Sequence, residues 1–240
     1  MEIPQELLDL GVTSLEQTEL DLRRKNLTEL PESIGLLTKL EELYLSRNDL
    51  TSLPESFGNL TNLRKLKLSY NCYNCFTPLP ESFLPESFGN LTNLEILELR
   101  WNNLTQLPES IGNLTNLRTL ELEQNKLTEL PESLGNLTNL RRLGLENNYL
   151  TQLPESIGNL TTIRELELRW NNLTQLPESF GNLTNLTLLN LHQNNLTQLP
   201  ESFGNLTNLT TLALRKNNFT QFPTILRELT IDDLYCDGPY

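Results

Sequence analysis

The sequence predicts an α/β solenoid in which short, near-identical coils stack side by side, and three observations lead to this fold class. The chain repeats itself every 23 residues: residues 94–116 read LEILELRWNNLTQLPESIGNLTN and residues 117–139 read LRTLELEQNKLTELPESLGNLTN. Each copy contains a short stretch in which leucine alternates with other residues. An asparagine then recurs at one fixed position just after that stretch.

The repeat divides the chain into three parts. We predict an N-terminal cap over residues 1–16, nine repeats over 17–231 and a C-terminal tail over 232–240. Eight repeats have 23 residues, and the third, 63–93, carries an insertion of 8 residues. Neighbouring repeats bury each other's apolar edges, so the array is expected to fold as one domain. The chain end from Cys236 onward is expected to be frayed.

The alternating stretch predicts a short strand in every repeat. Leu97 and Leu99 flank a polar residue, which is the pattern of a strand with one buried face. Together with Leu94 and Leu104, they are expected to point into the solenoid. Placed side by side, these strands would form a parallel sheet along the inner, concave face.

The recurring asparagine predicts a hydrogen-bond ladder between repeats. It lies where the strand ends and the chain turns inward, so its amide can satisfy backbone groups that have no partner there. In the third repeat the insertion duplicates this position, and we assign the ladder role to Asn74. The other expected members are Asn48, Asn102, Asn125, Asn148, Asn171, Asn194 and Asn217.

The second half of each repeat predicts a compact return path. Leu107 and Ile111 continue the apolar pattern, and Pro108 restricts the backbone between them. Gly112 is expected to permit a tight bend or a helix end. We therefore predict 3-10 turns or one short helix on the convex side.

The consensus L-x-x-L-x-L-x-x-N-x-L followed by x-x-L-P resembles the leucine-rich-repeat family over about nine-tenths of the chain. Its L-P-x-x-I/F/L-x-x-L-x-x-L ending is most similar to intracellular plant and bacterial members. The resemblance implies a right-handed, curved superhelix with a parallel sheet on the concave face. It also implies a non-catalytic module that docks a partner protein along that sheet.

Charge and composition argue against several functions. A formal net charge of −13 makes the chain a poor binder of nucleic acid or anionic membrane. Nothing resembles a signal peptide or a membrane span, so we expect a cytoplasmic protein, or one exported without a classical signal. Cys72 and Cys75 have the C-x-x-C spacing of metal sites, but no further ligands lie nearby. We predict no metal, no cofactor and no catalytic residue.

The outward-facing strand positions form the predicted binding surface, because they vary most between repeats. These positions, the second, third, fifth, seventh and eighth of each repeat, hold 14 Lys or Arg against 11 Asp or Glu. Trp, Tyr and Arg among them are the residue types enriched at binding hot spots. The residues assigned to partner binding are Tyr44, Arg47, Lys67, Tyr70, Glu98, Arg100, Trp101, Glu121, Arg142, Glu167, Arg169, Trp170 and His192.

The two tryptophans leave two interpretations open. Trp101 and Trp170 lie three repeats apart in nearly identical strings, so they either contact a partner or stack on their own neighbours. We predict a monomeric module for a protein partner, acting as an adaptor, a regulator or a bacterial effector.

Two other function classes use the same face. A receptor for a non-protein ligand, nucleic acid or glycan, would draw on the basic patch of Arg64, Lys65 and Lys67 with Tyr70. A hydrolase would need a carboxylate pair from Glu98, Glu121 and Glu167, although no pocket-forming insertion accompanies them.

Overall fold

The fold is an open parallel sheet of ten strands, which lie side by side in the order of the chain. The structure is a computed structural model, and it describes residues 2–71 and 83–236. Every strand is three residues long and pairs with its sequence neighbours. The predicted solenoid is confirmed. The strands are β1 (Glu19–Asp21), β2 (Glu42–Tyr44), β3 (Lys65–Lys67), β4 (Ile96–Glu98), β5 (Thr119–Glu121), β6 (Arg142–Gly144), β7 (Glu165–Glu167), β8 (Leu188–Asn190), β9 (Thr211–Ala213) and β10 (Asp233–Tyr235).

The core is a continuous stack of leucines behind this sheet. The central leucines of adjacent strands pair in register, as Leu97 does with Leu120, and both are fully buried. Leu94, Leu99 and Leu104 are buried as well, as the alternation predicts. Each such side chain contributes about 1.5–3 kcal/mol on burial, so repetition of one pattern supplies the apolar driving force.

The return path of each coil is a short 3-10 helix, in agreement with the prediction. Each helix has five residues and directly follows a proline in an extended conformation, such as Pro108 with φ −67° and ψ 150°. Within the described residues these helices are Glu32–Leu36, Glu55–Asn59, Glu86–Asn90, Glu109–Asn113, Glu132–Asn136, Glu155–Asn159, Glu178–Asn182, Glu201–Asn205 and Thr224–Glu228.

The asparagine ladder is present, with one change of membership. Asn125 donates from Nδ2 to the carbonyls of Leu99 and Leu122, both at 2.9 Å, and its Oδ1 accepts the N–H of Leu104 at 3.0 Å. In the third repeat Asn71 holds the equivalent bonds and is buried. The assignment of this role to Asn74 is therefore wrong.

The reason for this change is that the regular path continues through the first copy of the duplicated segment. Asn71 follows β3 at the normal spacing, and its N–H donates to Asn102 Oδ1 at 2.9 Å. Phe83 and Leu84, the first described residues after this segment, are both buried. Asn74, Cys72 and Cys75 lie outside the described residues.

A second asparagine row, which the sequence analysis missed, secures the chain just before each of the strands β3 to β9. Asn116 Nδ2 donates to the carbonyl of Thr92 in the preceding repeat at 2.9 Å, and Asn139 repeats the bond to Thr115 at 2.8 Å. Thr162 replaces this asparagine once and keeps the contact through its hydroxyl. Both ends of a three-residue strand are thus fixed by side chains from neighbouring coils.

The repeated glycine has a different role from the predicted one. Gly112 lies inside the helix Glu109–Asn113, so it makes neither a bend nor a helix end. A Cβ at Gly112 would stand 2.5 Å from the carbonyl oxygen of Ser133 and 2.6 Å from its Cβ. The glycine is needed because the next coil approaches too closely for any side chain.

The two ends of the array are covered in different ways. The short helix α1 (Gln5–Asp9) buries Leu7 against the first repeat and ends before Gly11, whose φ is +86°. At the other end β10 pairs with β9, and Leu234 lies beside Leu212. Cys236 is buried where the repeats place a leucine, so the prediction that fraying begins at this residue is wrong.

Asn125→Ala should lower the free energy of unfolding by about 1–3 kcal/mol, because buried backbone groups around it lose their partners. The matched control is Asn195→Ala, since Asn195 is exposed and lies outside the ladder. Chemical denaturation of the two variants measures the difference. Equal stabilities would contradict the role given to the ladder.

Gly135→Ala should destabilise the protein by about 1–3 kcal/mol through overpacking, because the new methyl would lie against rigid backbone. That methyl would stand 2.5 Å from the Ser156 carbonyl oxygen. At Gly204 the nearest atom is instead the end of the Ile225 side chain, at 3.0 Å. Gly204→Ala is therefore the control, and its thermal midpoint should fall less.

Candidate functional site

The sheet brings all the predicted partner-binding residues to one face. Tyr44, Lys67, Glu98, Glu121, Arg142 and Glu167 lie within strands β2 to β7. The remaining residues follow a strand by two or three positions. Because parallel strands end at the same edge of a sheet, this second group forms a line along that edge. It comprises Arg47, Tyr70, Arg100, Trp101, Arg169, Trp170 and His192.

The eighth residue of every repeat has a left-handed backbone, and we call these nine residues the edge row. Their φ values lie between 55° and 63°, although none is glycine. Such a conformation costs roughly 1–2 kcal/mol in most residues. In every repeat but the first, where Lys25 follows, the next residue is a ladder asparagine that holds this backbone in place. The members are Arg24, Arg47, Tyr70, Trp101, Gln124, Asn147, Trp170, Gln193 and Lys216.

In the first half of the edge row the side chains stack. The guanidinium of Arg47 lies 5.2 Å from the centre of the Tyr70 ring. That ring stacks on Trp101 at 5.7 Å with an interplanar angle of 11°. Tyr70 and Trp101 nevertheless remain 45% and 40% exposed. Local stacking and availability to a partner are therefore compatible here.

Trp170 is held differently. The guanidinium of Arg169 lies 4.3 Å from its ring centre, and the indole N–H donates to Gln193 in the next repeat. The ring is still 37% exposed. Arg169 approaches Glu146 at 3.5 Å, while its buried Nε has no hydrogen-bond partner.

The charged residues in the middle of the face are paired with each other. Lys67 contacts Glu98 at 2.7 Å, and Arg100 and Arg142 contact Glu121 at 2.6 and 2.7 Å. Arg142 also contacts Glu165. Glu121 is buried by these contacts. The sequence predicts that Glu121 contacts a partner protein. In the structure its carboxylate instead joins three neighbouring repeats through ion pairs with Arg100 and Arg142.

The carboxyl groups of Glu121 and Glu123 both contact Arg100, at 2.6 and 2.9 Å. Hydrogen bonds from Glu123, Arg100 and Arg142 outweigh burial and lower the pKa of Glu121 to about 2. Burial, together with the neighbouring Glu121, raises the pKa of Glu123 to about 8. The pKa values of these two neighbouring carboxyl groups thus lie on opposite sides of neutral pH.

A glycine makes room for this carboxyl pair. A Cβ at Gly144 would stand 2.5 Å from the Glu123 carboxyl carbon and 2.6 Å from Glu121 Oε2. The absence of a side chain at this strand position was the signal that could have revealed the pair. Glu98 and Glu167, the other carboxylates suggested for a hydrolase, lie on separate strands outside it.

Family comparisons agree with this geometry. A model described as "Leucine-rich repeat region" matches residues 81–170 and 155–231, and one described as "Leucine rich repeat" matches residues 18–72. The chain belongs to the leucine-rich-repeat family. Among curated proteins, a search with this leucine-rich-repeat sequence finds no match.

Solved structures of leucine-rich-repeat proteins are similar over most of the chain. The LRR protein LIC12759 of Leptospira interrogans is 32% identical, with a TM-score of 0.76, over 100% of this chain and 67% of its own. The LRR ectodomain of the plant membrane receptor kinase GASSHO1/SCHENGEN3 from Arabidopsis thaliana is 30% identical, with a TM-score of 0.70. That match covers 87% of this chain and 25% of the ectodomain chain, whose structure is a complex with CASPARIAN STRIP INTEGRITY FACTOR 2. Among the described residues of the leucine-rich-repeat chain, no helix is long and apolar enough to cross a membrane.

Glu123→Gln should reduce the loss of stability of the leucine-rich-repeat array at alkaline pH. The folded protein keeps the Glu123 proton up to about pH 8, whereas the ordinary value for this group is 4.5. The contribution of Glu123 to the free energy of unfolding is therefore fully present below about pH 4.5, and it decreases as the pH rises to about 8. A glutamine cannot ionise and can still donate to Glu121.

The measurement is the thermal midpoint at pH 5 and at pH 9. Glu123→Gln should lose less between the two than the wild type, and Glu155→Gln, which removes an exposed charge on the return path, should lose as much as the wild type. A wild-type-sized loss in Glu123→Gln would contradict the raised pKa of Glu123.

Proposed function

We propose that this chain is a non-catalytic protein-interaction module that binds a partner protein on its concave face. The observation that carries the proposal is the edge row, which holds three exposed aromatic rings in fixed positions. Tyr70, Trp101 and Trp170 each contact a neighbouring repeat while leaving more than a third of their surface open. Aromatic and arginine side chains supply most of the binding free energy in many interfaces.

Pre-organisation makes these rings effective anchors. A side chain that is already ordered loses less conformational entropy on binding, so more of its contact energy appears as affinity. The stack of Arg47, Tyr70 and Trp101 orders three consecutive repeats, and the bond from Trp170 to Gln193 orders a second position. A partner could bridge both positions along the sheet edge.

The family supports the same interpretation. Leucine-rich-repeat domains are generally interaction modules, and the similar Arabidopsis ectodomain was solved bound to another factor. A repeat array that holds a partner without chemical turnover would act as an adaptor, a regulator or an effector. The internal pairing of Glu98 and Glu121 with cations favours binding over hydrolysis by these carboxylates.

The test is affinity capture with the wild type and with a Trp101→Gln, Trp170→Gln double variant, followed by calorimetry with the purified partner. Glutamine is the chosen replacement because Gln124 and Gln193 occupy the same backbone conformation in other repeats. Loss of the two anchors should weaken partner binding by about 30-fold or more.

The matched control is Leu36→Asn on the return path. Leu36 is exposed, and seven of the eight described helices that follow carry asparagine at its position. This change therefore removes an apolar side chain from the opposite surface. Binding of the captured partner should be unaffected. A partner held equally by the wild type and the tryptophan variant would refute the edge row as the anchor.

A further inference from the structure

The concave face carries a basic groove across its first four repeats. The groove encloses about 740 Å³ and lies beside the aromatic stack, with Tyr70 as part of its lining. We propose that it binds an acidic peptide segment of the partner protein, an inference that rests on the proposed function and specifies the chemistry of recognition. Its lining contains six cations, Arg23, Arg24, Lys25, Arg47, Lys67 and Arg100, against the carboxylates of Asp21 and Glu98.

Half of these cations are already neutralised within the protein. Arg23 pairs with Asp21 at 2.6 Å, Lys67 pairs with Glu98, and Arg100 pairs with two buried or half-buried glutamates. The other three, Arg24, Lys25 and Arg47, form no ion pair with any residue that the structure describes, and all three are exposed. These three cations are therefore available to bind an anionic ligand in the groove.

Arg47 is the best-placed of the three cations. Its guanidinium lies over the Tyr70 ring, a contact that orders the side chain without using its N–H donors. A planar guanidinium with free donors can bind a carboxylate through two parallel hydrogen bonds. Because the stack continues to Trp101, this orientation is supported by two further repeats.

The length of the basic surface limits the size of the ligand segment. Neighbouring strands are about 4.8 Å apart, so three strand spacings from Arg24 to Arg100 cover roughly 14 Å, or about four to five extended residues. In the next two repeats the seventh position carries Glu123 and Glu146 instead of a cation, and Arg169 restores positive charge only after them. A short acidic segment fits this pattern, whereas a long polyanion such as RNA would extend past Arg100 onto two repeats whose seventh and eighth positions carry no cation.

The experiment measures fluorescence anisotropy of a labelled peptide with an Asp-Glu-Asp-Glu-Asp segment flanked by glycine and serine. Its neutral counterpart carries Asn and Gln at the same places, and an oligouridylate of similar length competes. The full chain is compared with an Arg24→Gln, Arg47→Gln variant and with an Arg141→Gln, Arg164→Gln control. The control removes two exposed arginines from the second position of later repeats.

We expect the acidic peptide to bind the wild type at least about tenfold more tightly than the neutral one, and to weaken as salt rises. The Arg24, Arg47 variant should lose about tenfold in affinity, whereas the control should change less than about twofold. Circular dichroism establishes that all chains are folded, and glutamine is native to the edge row at Gln124 and Gln193.

The inference is overturned by absence of saturable binding, by equal binding of the two peptides, or by an equal loss in both arginine variants. Stronger binding of the oligouridylate would overturn it in favour of nucleic acid. If instead the captured partner still depends on Trp101 and Trp170, the proposed function stands and only the acidic specificity fails.

Discussion

Inter-repeat hydrogen bonding by asparagine is the constraint on which the rest of this molecule depends. Because each strand has only three residues, most of the backbone of each coil lies outside the sheet. Buried N–H and C=O groups without hydrogen-bond partners would lower the stability of the fold. The ladder row, with Asn125 as an example, supplies those partners after strands β2 to β9. A second row, with Asn116 as an example, supplies them before strands β3 to β9. The leucine core provides the driving force, but these amides decide where each coil turns.

The same constraint shapes the binding face. Because the ladder asparagine holds the chain as it leaves the strand, the preceding residue can adopt a left-handed backbone that its own side chain does not favour. Trp101 and Trp170 are both the eighth residue of their repeats, and both have this left-handed backbone. The contacts that order them, Tyr70 for one and Gln193 for the other, come from different repeats and give each ring a different surrounding. An array built from nearly identical units thereby acquires distinct contact points along one edge.

Charge on the concave face has two roles. In the middle repeats Arg100 and Arg142 form ion pairs with Glu121 across neighbouring strands and so stabilise the sheet. Gly144 leaves space for the carboxyl groups of Glu121 and Glu123. In the first repeats Arg47 is ordered by aromatic stacking instead, so its charge stays available. A count of basic and acidic positions cannot separate these roles, since both kinds of residue occupy equivalent places in the repeat.

The sequence by itself determined the solenoid, its parallel sheet, the leucine core and the face that carries the variable residues, because a 23-residue period places every residue type at a predictable point of the coil. Tertiary structure decided what depends on contacts between coils. Asn71 rather than Asn74 joins the ladder because it keeps the spacing from its strand. Gly112 is required by the approach of Ser133, and Cys236 is buried because one more strand adds to the sheet. Such contacts depend on distances across the stack, which a one-dimensional pattern does not contain.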